Sequence, residues 1–308
     1  MPSQKTKKCP SRRQFIIVGG ASLSVLPFYF STPHWVGKFM HKFCPVHFRG
    51  AKTYISEYCQ FAFSLFGDGQ LSLHSPQITA LFLDDITKCQ PTHLLEIGTG
   101  AGGNAREILS KMSSTQYIGV EPQGLLVKTM LNDMPASLSP RTQIIQDTFP
   151  TSKIRSESVD FVFSKDALIC IEPTIKFYTQ LEKVMKLGSS GVFINYYVDE
   201  KHLTGRLPSE LATWCEIQNV EYFFTSPEQQ KLFLQTSGLT VETITDHSDL
   251  YLDEIINVIS NTQANKKQMS DKFGIKVVDT YMRLNSLEQV LITKGILKIK
   301  KFKFSKPA

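Results

Sequence analysis

A short apolar run that ends in a glycine-rich turn constrains the fold of this chain more than any other feature. Residues 93–97 read HLLEI, residues 98–103 read GTGAGG, and a stretch of helical character continues to Met112. A strand, a glycine turn and a helix in this order form the opening unit of a doubly wound parallel sheet. The glycines let the backbone approach a ligand closely, and the start of the helix offers unpaired N–H groups. The spacing therefore predicts an α/β fold with a ligand site at the turn.

Two acidic residues narrow the class of ligand. Residues 117–120 predict a second strand, and Glu121 follows it about twenty residues after the glycines, where a carboxylate can take both hydroxyls of a ribose. Several nucleotide cofactors fit that position, since G-x-G-x-G also opens nicotinamide and flavin sites. Glu96 discriminates between these cofactors, because a carboxylate directly before the first glycine would repel a pyrophosphate and would attract a cationic ligand. A nicotinamide-dependent oxidoreductase is therefore a less favoured alternative.

From about Leu83 to the C-terminus, the sequence resembles the class I S-adenosylmethionine-dependent methyltransferases. Four motifs carry the resemblance in the family's order: LLEIGTGAGG at 94–103, IIQDT at 144–148, VDFVFSKD at 159–166, and KVMKLG at 183–188 before the apolar residues 191–194. The resemblance implies a Rossmann-like, doubly wound α/β sheet that is mostly parallel, with an antiparallel C-terminal strand, a helical lid and N-terminal helices. It also implies S-adenosylmethionine as the cofactor.

The resemblance implies roles for individual residues. Glu121 would bind the ribose, and Asp147 would lie near the adenine amine. The implied cofactor-binding residues are Glu96, Gly98, Thr99, Gly100, Gly102, Glu121, Pro122, Asp147, Thr148 and Ser164. Asp166, at the expected mouth of the acceptor site, is the candidate catalytic residue that orients or deprotonates the acceptor.

Two segments more narrowly resemble the phosphoethanolamine N-methyltransferase group and its small-amine relatives: FGDGQLS at 66–72 and SKDALICI at 164–171. In that group a Tyr and a His act as a dyad over the substrate nitrogen, and the matching positions here are Gln70 and Cys170. Gln does not titrate, and a Cys near an apolar strand end is usually inert. The Arg that would hold a phosphate has no counterpart either, with Val220 near its place. Phosphoethanolamine itself is therefore not the expected acceptor.

The resemblance divides the chain into a helical cap at 33–80 and a methyltransferase domain at 81–308. Within the domain, an aromatic-rich helical insertion at about 200–236 is expected to cover the acceptor as a lid. Tyr197, just before it, joins Gln70 and Cys170 as a predicted acceptor contact.

The expected activity is methyl transfer from S-adenosylmethionine to a small-molecule acceptor, either a small amine or a lipid-like molecule. The missing Tyr/His pair keeps a non-catalytic S-adenosylmethionine-binding protein as an alternative. The six cysteines include no CxxC pair, and no histidines cluster at metal-binding spacing. Neither a metal site nor a disulfide framework is predicted.

The N-terminal residues 1–32 form a separate predicted module. Residues 11–16 read SRRQFI and run into the apolar segment 15–30, a layout that resembles a twin-arginine export signal. Sixteen helical residues cover about 24 Å, short of the ~30 Å hydrocarbon core, and no small-x-small cleavage site follows. An export signal and an uncleaved anchor therefore both stay open. We expect attachment to a membrane surface with the catalytic domain in the cytoplasm, the alternative being export by the twin-arginine route.

Charge is concentrated at the two ends of the chain. The formal net charge of +6 combines +5 in residues 1–13 and +6 in residues 294–308 with −5 in residues 14–293. A nucleic-acid-binding protein normally displays a basic face on its folded body, so no nucleic-acid partner is predicted. Residues 295–304 alternate apolar and basic side chains over most of their length, which predicts an edge strand.

Overall fold

In the computed structural model, which describes residues 51–218 and 220–308, seven strands form one mixed sheet. The strands are β1 His93–Ile97, β2 Gln116–Val120, β3 Thr142–Ile145, β4 Val159–Lys165, β5 Met185–Val198, β6 Thr240–Asp246 and β7 Leu297–Ser305. Their order across the sheet is β3-β2-β1-β4-β5-β7-β6. Strands β1 to β5 pair in parallel, and β7 runs antiparallel to both β5 and β6. The predicted doubly wound sheet with an antiparallel C-terminal strand is confirmed.

Helices cover both faces of this sheet. Those of the described segments are α1 Ala51–Phe66, α2 Pro76–Cys89, α3 Gly103–Lys111, α4 Gly124–Asp133, α5 Ile175–Val184, α6 Glu200–Leu203, α7 Ser209–Gln218, α8 Pro227–Thr236, α9 Ser248–Ala264, α10 Lys266–Phe273 and α11 Ile275–Thr293. The predicted N-terminal helices correspond to α1 and α2, and the segment at 200–236 contains α6, α7 and α8. A second helical insertion, α9 to α11 between β6 and β7, was not predicted from the sequence.

The predicted signal or anchor at 1–32 and the start of the predicted cap lie outside the described residues. Among the helices of residues 51–218 and 220–308, none has the length and apolar character needed to cross a bilayer.

Two apolar cores lie on opposite faces of the sheet. One contains Leu94 and Tyr196 together with side chains of α1, α2, α3, α7, α9 and α11, and the other contains Leu95 and Tyr197 together with side chains of α5 and α8. Successive residues of a strand point to opposite faces. The neighbours Tyr196 and Tyr197 therefore belong to different cores.

The prediction of an edge strand at 295–304 is wrong. β7 lies between β5 and β6, and β6 forms the edge. The lysines of β7 bind acidic partners: Lys301 Nζ lies 2.6 Å from Asp85 Oδ2, and Lys300 Nζ lies 2.7 Å from Asp246 Oδ2. An alternating pattern indicates one buried and one accessible face, which an inner strand can also have, so the pattern alone does not determine the position of a strand within the sheet.

Candidate active site

The glycine turn is a tight connection between β1 and α3. Gly98, Gly100 and Gly102 have φ angles of 80°, 57° and 82°, in the left-handed region that favours glycine. The Gly98 N–H donates to the Val120 carbonyl at 2.9 Å. A Cβ atom at Gly98 would lie 2.2 Å from the Cβ of Ala167. The turn is therefore packed between the end of β2 and the segment after β4, where no larger residue fits.

Glu121 closes this turn from the end of β2. Its side chain is buried, and its two oxygens accept the N–H groups of Gly100 at 3.0 Å and Gln123 at 2.9 Å. Burial raises the pKa of Glu121, and the two backbone hydrogen bonds partly offset that effect. The predicted ribose acid thus lies directly beside the glycine turn, and the adjacent Pro122 is exposed.

Glu96 lies beneath the turn and is fully buried. Its carboxylate accepts hydrogen bonds from Asn104 Nδ2 at 2.9 Å, from Thr99 Oγ1 at 3.3 Å and from the Tyr117 hydroxyl. Burial raises the pKa of Glu96 to about 7, against the opposing effect of these bonds. Glu96 therefore links β1 to β2 and to the first turn of α3. Asn104 and Tyr117 were not predicted as site residues, because neither belongs to a recognisable motif.

The ends of the third and fourth strands complete this edge of the sheet. Asp147, partly exposed after β3, accepts the N–H of the exposed Thr148 and the hydroxyl of Thr151, both at 2.8 Å. The Thr151 hydrogen bond is the main cause of a lowered pKa at Asp147. Ser164 is fully buried and donates to the Ile97 carbonyl at 2.8 Å, which ties β4 to β1. The predicted cofactor residues therefore meet at the carboxyl ends of β1, β2, β3 and β4.

Asp166 is the centre of a buried polar cluster directly after β4. Its carboxylate accepts hydrogen bonds from Lys165 Nζ at 2.7 Å, Ser72 Oγ at 2.8 Å and the Tyr251 hydroxyl at 3.2 Å. The side chains of Lys165 and Asp166 are 1% and 7% exposed. Asp166 also has a φ of 57°, which costs roughly 1–2 kcal/mol for a residue other than glycine and recurs at functional sites. We call Ser72, Lys165, Asp166 and Tyr251 the Asp166 cluster.

A second polar pair lies beside the Asp166 cluster. The Tyr196 hydroxyl donates to Glu288 Oε1 at 2.7 Å, and the Tyr196 ring meets the Tyr251 ring edge-on, with centroids 6.0 Å apart. Burial raises the pKa of Glu288 to about 7, and the negative charge of Asp166 acts in the same direction. Ser72, Tyr196, Tyr251 and Glu288 were not predicted as site residues, because they come from four separated segments, and two of these segments lie in the unpredicted insertion.

The three predicted acceptor contacts have different locations. Gln70 is buried against the start of α3, where a Cβ at Gly103 would lie 2.5 Å from its Cδ. Cys170 is exposed at the end of a short 3₁₀ turn after β4. Tyr197 is fully buried on the other face of the sheet, 5.2 Å from Phe302 between ring centroids. The structure does not bring Tyr197 to the Asp166 cluster.

Several solved structures resemble this chain. No protein-family model matches the sequence, and no curated protein matches it. Two structures of Haemonchus contortus phosphoethanolamine N-methyltransferase 2 match 85% of this chain with 18% and 19% identity and TM-scores of 0.71 and 0.72. One holds phosphomonomethylethanolamine and S-adenosylhomocysteine, and the other holds S-adenosyl-L-methionine. The matched region covers 60% of the length of the Haemonchus chain.

A Galdieria sulphuraria enzyme assigned as a sarcosine dimethylglycine methyltransferase matches 82% of this chain and 98% of its own, with 14% identity and a TM-score of 0.69. At these identities the likeness shows the fold alone. The chain has the fold of the S-adenosylmethionine-dependent methyltransferases.

Proposed function

We propose that this chain is an S-adenosylmethionine-dependent methyltransferase that acts on a small amine, with a lipid-like molecule as the alternative acceptor. The observation that carries the proposal is the convergence, at one edge of a methyltransferase-like sheet, of a glycine turn with its acids and a separate buried cluster around Asp166. The first group suits a nucleoside cofactor, and the second suits an acceptor.

The residues at the glycine turn fit this cofactor. The first turn of α3 begins at Gly102 without a side-chain cap, so its partial positive charge suits the cofactor's carboxylate. Glu121 after β2 and Asp147 after β3 supply carboxylates for the ribose hydroxyls and the adenine amine. S-adenosylmethionine supplies an already activated methyl group, so the chain chiefly binds and aligns the reactants and excludes water.

The Asp166 cluster supports an amine acceptor. A carboxylate held by three donors from separate segments is rigidly oriented, and it can accept a further hydrogen bond from an N–H group of the acceptor. The Lys165 ammonium, 2.7 Å from Asp166 Oδ2, is the counter-charge of this carboxylate within the buried cluster. We infer that Asp166 orients the acceptor nitrogen.

The test is calorimetric titration of the full chain with S-adenosylmethionine and S-adenosylhomocysteine, with NADH as the comparison ligand. We expect both sulfur compounds to bind one per chain and NADH not to bind. A folded sample that binds neither sulfur compound would refute the proposal, and tight NADH binding would favour an oxidoreductase.

A non-catalytic S-adenosylmethionine-binding protein is the second candidate, favoured by Gln70 and Cys170 at the dyad positions. It predicts cofactor binding without transfer of a labelled methyl group to any component of a metabolite and lipid extract. Labelled product formed by the wild-type chain would exclude this candidate.

We further propose that residues 1–32 attach the protein to a membrane surface, with residues 33–80 as a cap and residues 81–308 as the catalytic domain on the cytoplasmic side. The basic and apolar pattern of the first segment supports attachment. Cell fractionation with protease treatment from the outer face tests the orientation. Complete digestion of the domain from outside would indicate export instead.

A further inference from the structure

Within residues 51–218 and 220–308, Glu288 is a buried carboxyl group that no basic group faces. The titratable groups facing it are Tyr196 on β5, Tyr222 before α8, Tyr251 on α9, Tyr281 on α11 and Asp166 after β4. Burial raises the pKa of each of these four tyrosines, so all four are neutral near pH 7. The nearby charge is therefore that of Asp166, which is already paired with Lys165.

Asp166 itself is poorly suited to accept a proton from the acceptor. Protonation of its carboxylate would leave the Lys165 ammonium, 2.7 Å away and 1% exposed, without its counter-charge. Breaking a buried pair in this way is strongly destabilising. Gln70 has no titratable group, and a proton acceptor outside the cluster would leave the Lys165–Asp166 pair intact.

The Tyr196–Glu288 pair is in position to act as the proton acceptor. The Tyr196 ring packs edge-on against Tyr251, whose hydroxyl binds Asp166. Tyr196 and Glu288 keep 8% and 9% of their surface accessible, whereas Tyr251 is fully covered. The pair therefore retains accessible surface, and only the Tyr251 side chain separates Tyr196 from Asp166, the carboxylate proposed to orient the acceptor.

Building on the proposed function, we propose that Tyr196 and Glu288 form the proton-accepting pair for an unphosphorylated amine acceptor. The amine enters as its ammonium ion, and its proton passes to the Tyr196 oxygen while the Tyr196 hydroxyl proton passes to Glu288 Oε1. The freed nitrogen lone pair forms the N–CH₃ bond as the donor's S–CH₃ bond breaks, and the electrons of that bond stay on sulfur. Glu288 then returns its proton to solvent.

The charges favour an acceptor without a phosphate. Among the described residues no cation faces Glu288, and the ammonium of Lys165 already contacts Asp166 and Ser72 at 2.7 Å each. Of the residues that the structure describes, a phosphate at this position would meet the carboxyl groups of Asp166 and Glu288 and no free positive charge. An ammonium ion among aromatic rings and carboxylates is attracted by both.

The first experiment needs no acceptor. The chain has two tryptophans, Trp35 and Trp214, and the Trp214 ring lies 6.3 Å from the Tyr196 ring. In a Trp35→Phe background, Trp214 fluorescence measured from pH 5 to pH 9 is expected to show a transition near pH 7 that Glu288→Gln abolishes. A missing transition, or one that persists in the Glu288→Gln variant, would overturn the proposal.

The second experiment measures methyl transfer from labelled S-adenosylmethionine to ethanolamine, N-methylethanolamine, sarcosine and dimethylglycine, with phosphoethanolamine as the phosphorylated comparison. Glu288→Gln and Tyr196→Phe are expected to lower kcat about 10²–10⁴-fold. They should also flatten the rise of kcat with pH through the titration of Glu288, while S-adenosylhomocysteine binding is unchanged. Tyr178→Phe is the matched control, since it makes the same change in the core on the other face of the sheet, and its kcat should equal that of the wild type.

The outcomes separate this inference from the function on which it rests. Failure of the wild-type chain to bind S-adenosylhomocysteine defeats the proposed function. Binding combined with equal kcat in the Glu288→Gln variant defeats only the proton-accepting pair. Binding combined with a preference for phosphoethanolamine, or with no transfer to any amine of the panel, defeats the assignment of the acceptor.

Discussion

Removing both partners of the Lys165–Asp166 pair is expected to destabilise the protein by less than the sum of the losses caused by removing each partner alone. The perturbation is a double-mutant cycle of Lys165→Met, Asp166→Asn and the combined variant. Asn keeps the shape of the side chain and tolerates the φ of 57° at position 166. Lys165 Nζ lies 2.7 Å from Asp166 Oδ2, and the two side chains are 1% and 7% exposed, respectively.

The magnitude follows from burial. At an effective dielectric constant of about 20, two unit charges 2.7 Å apart attract each other by about 6 kcal/mol. Removing each ion from water costs several kcal/mol, and this cost offsets much of the attraction. Either single change leaves a buried charge uncompensated and should lower the free energy of unfolding by about 3–5 kcal/mol. The double variant leaves no such charge, so its loss should fall short of the sum of the single losses by about 2–3 kcal/mol.

Urea unfolding of the four proteins at constant pH measures these free energies, provided that the slopes with urea agree. The control is the Lys266–Asp279 pair, whose Nζ–Oδ1 distance is 2.8 Å but whose side chains are 39% and 54% exposed. Its coupling energy should stay below about 1 kcal/mol. Additive losses at Lys165 and Asp166, within about 0.5 kcal/mol, would refute the argument from burial, as would equal coupling in both pairs.

Three further changes test other parts of the molecule. Gly98→Ala should weaken S-adenosylhomocysteine binding at least ~10-fold in calorimetry, because the turn has no room for a methyl group. The control is Gly188→Ala, which should leave binding unchanged, because Gly188 has a similar φ of 72° and open space around it. Burial raises the pKa of Glu96 and of Glu288 from 4.5 to about 7, so the stability from each protonated carboxyl is fully present below pH 4.5 and is lost as pH rises through about 7. Urea unfolding should show a loss of up to about 3 kcal/mol per group, reduced by either Glu→Gln change; an unchanged pH dependence in both variants would contradict this. Ser226→Ala removes the capping box of α8 and should lower the free energy of unfolding by about 1 kcal/mol, with a loss below about 0.3 kcal/mol arguing against the cap.

The strand, turn and helix around residues 93–112 could be predicted because each element leaves a local pattern in the sequence. The position of β7 could not, since its alternation of apolar and basic residues describes its two faces and not its neighbours. The same limit applies to the choice between Tyr196 and Tyr197. A shift of one residue along a strand moves a side chain to the opposite face, and nothing near these two tyrosines in the sequence distinguishes the faces.

By itself, the sequence determined the α/β fold class and the glycine turn with Glu96 and Glu121 beside it, because these depend on contacts between neighbouring elements. Only the tertiary structure brought Ser72, Asp166 and Glu288 to one region. These residues are far apart in the chain, so their proximity depends on the strand order and on the helical insertion between β6 and β7. The burial of Glu288, which no cation faces in the described part of the chain, is likewise a property of the packed molecule, since it requires side chains from several helices to exclude water together.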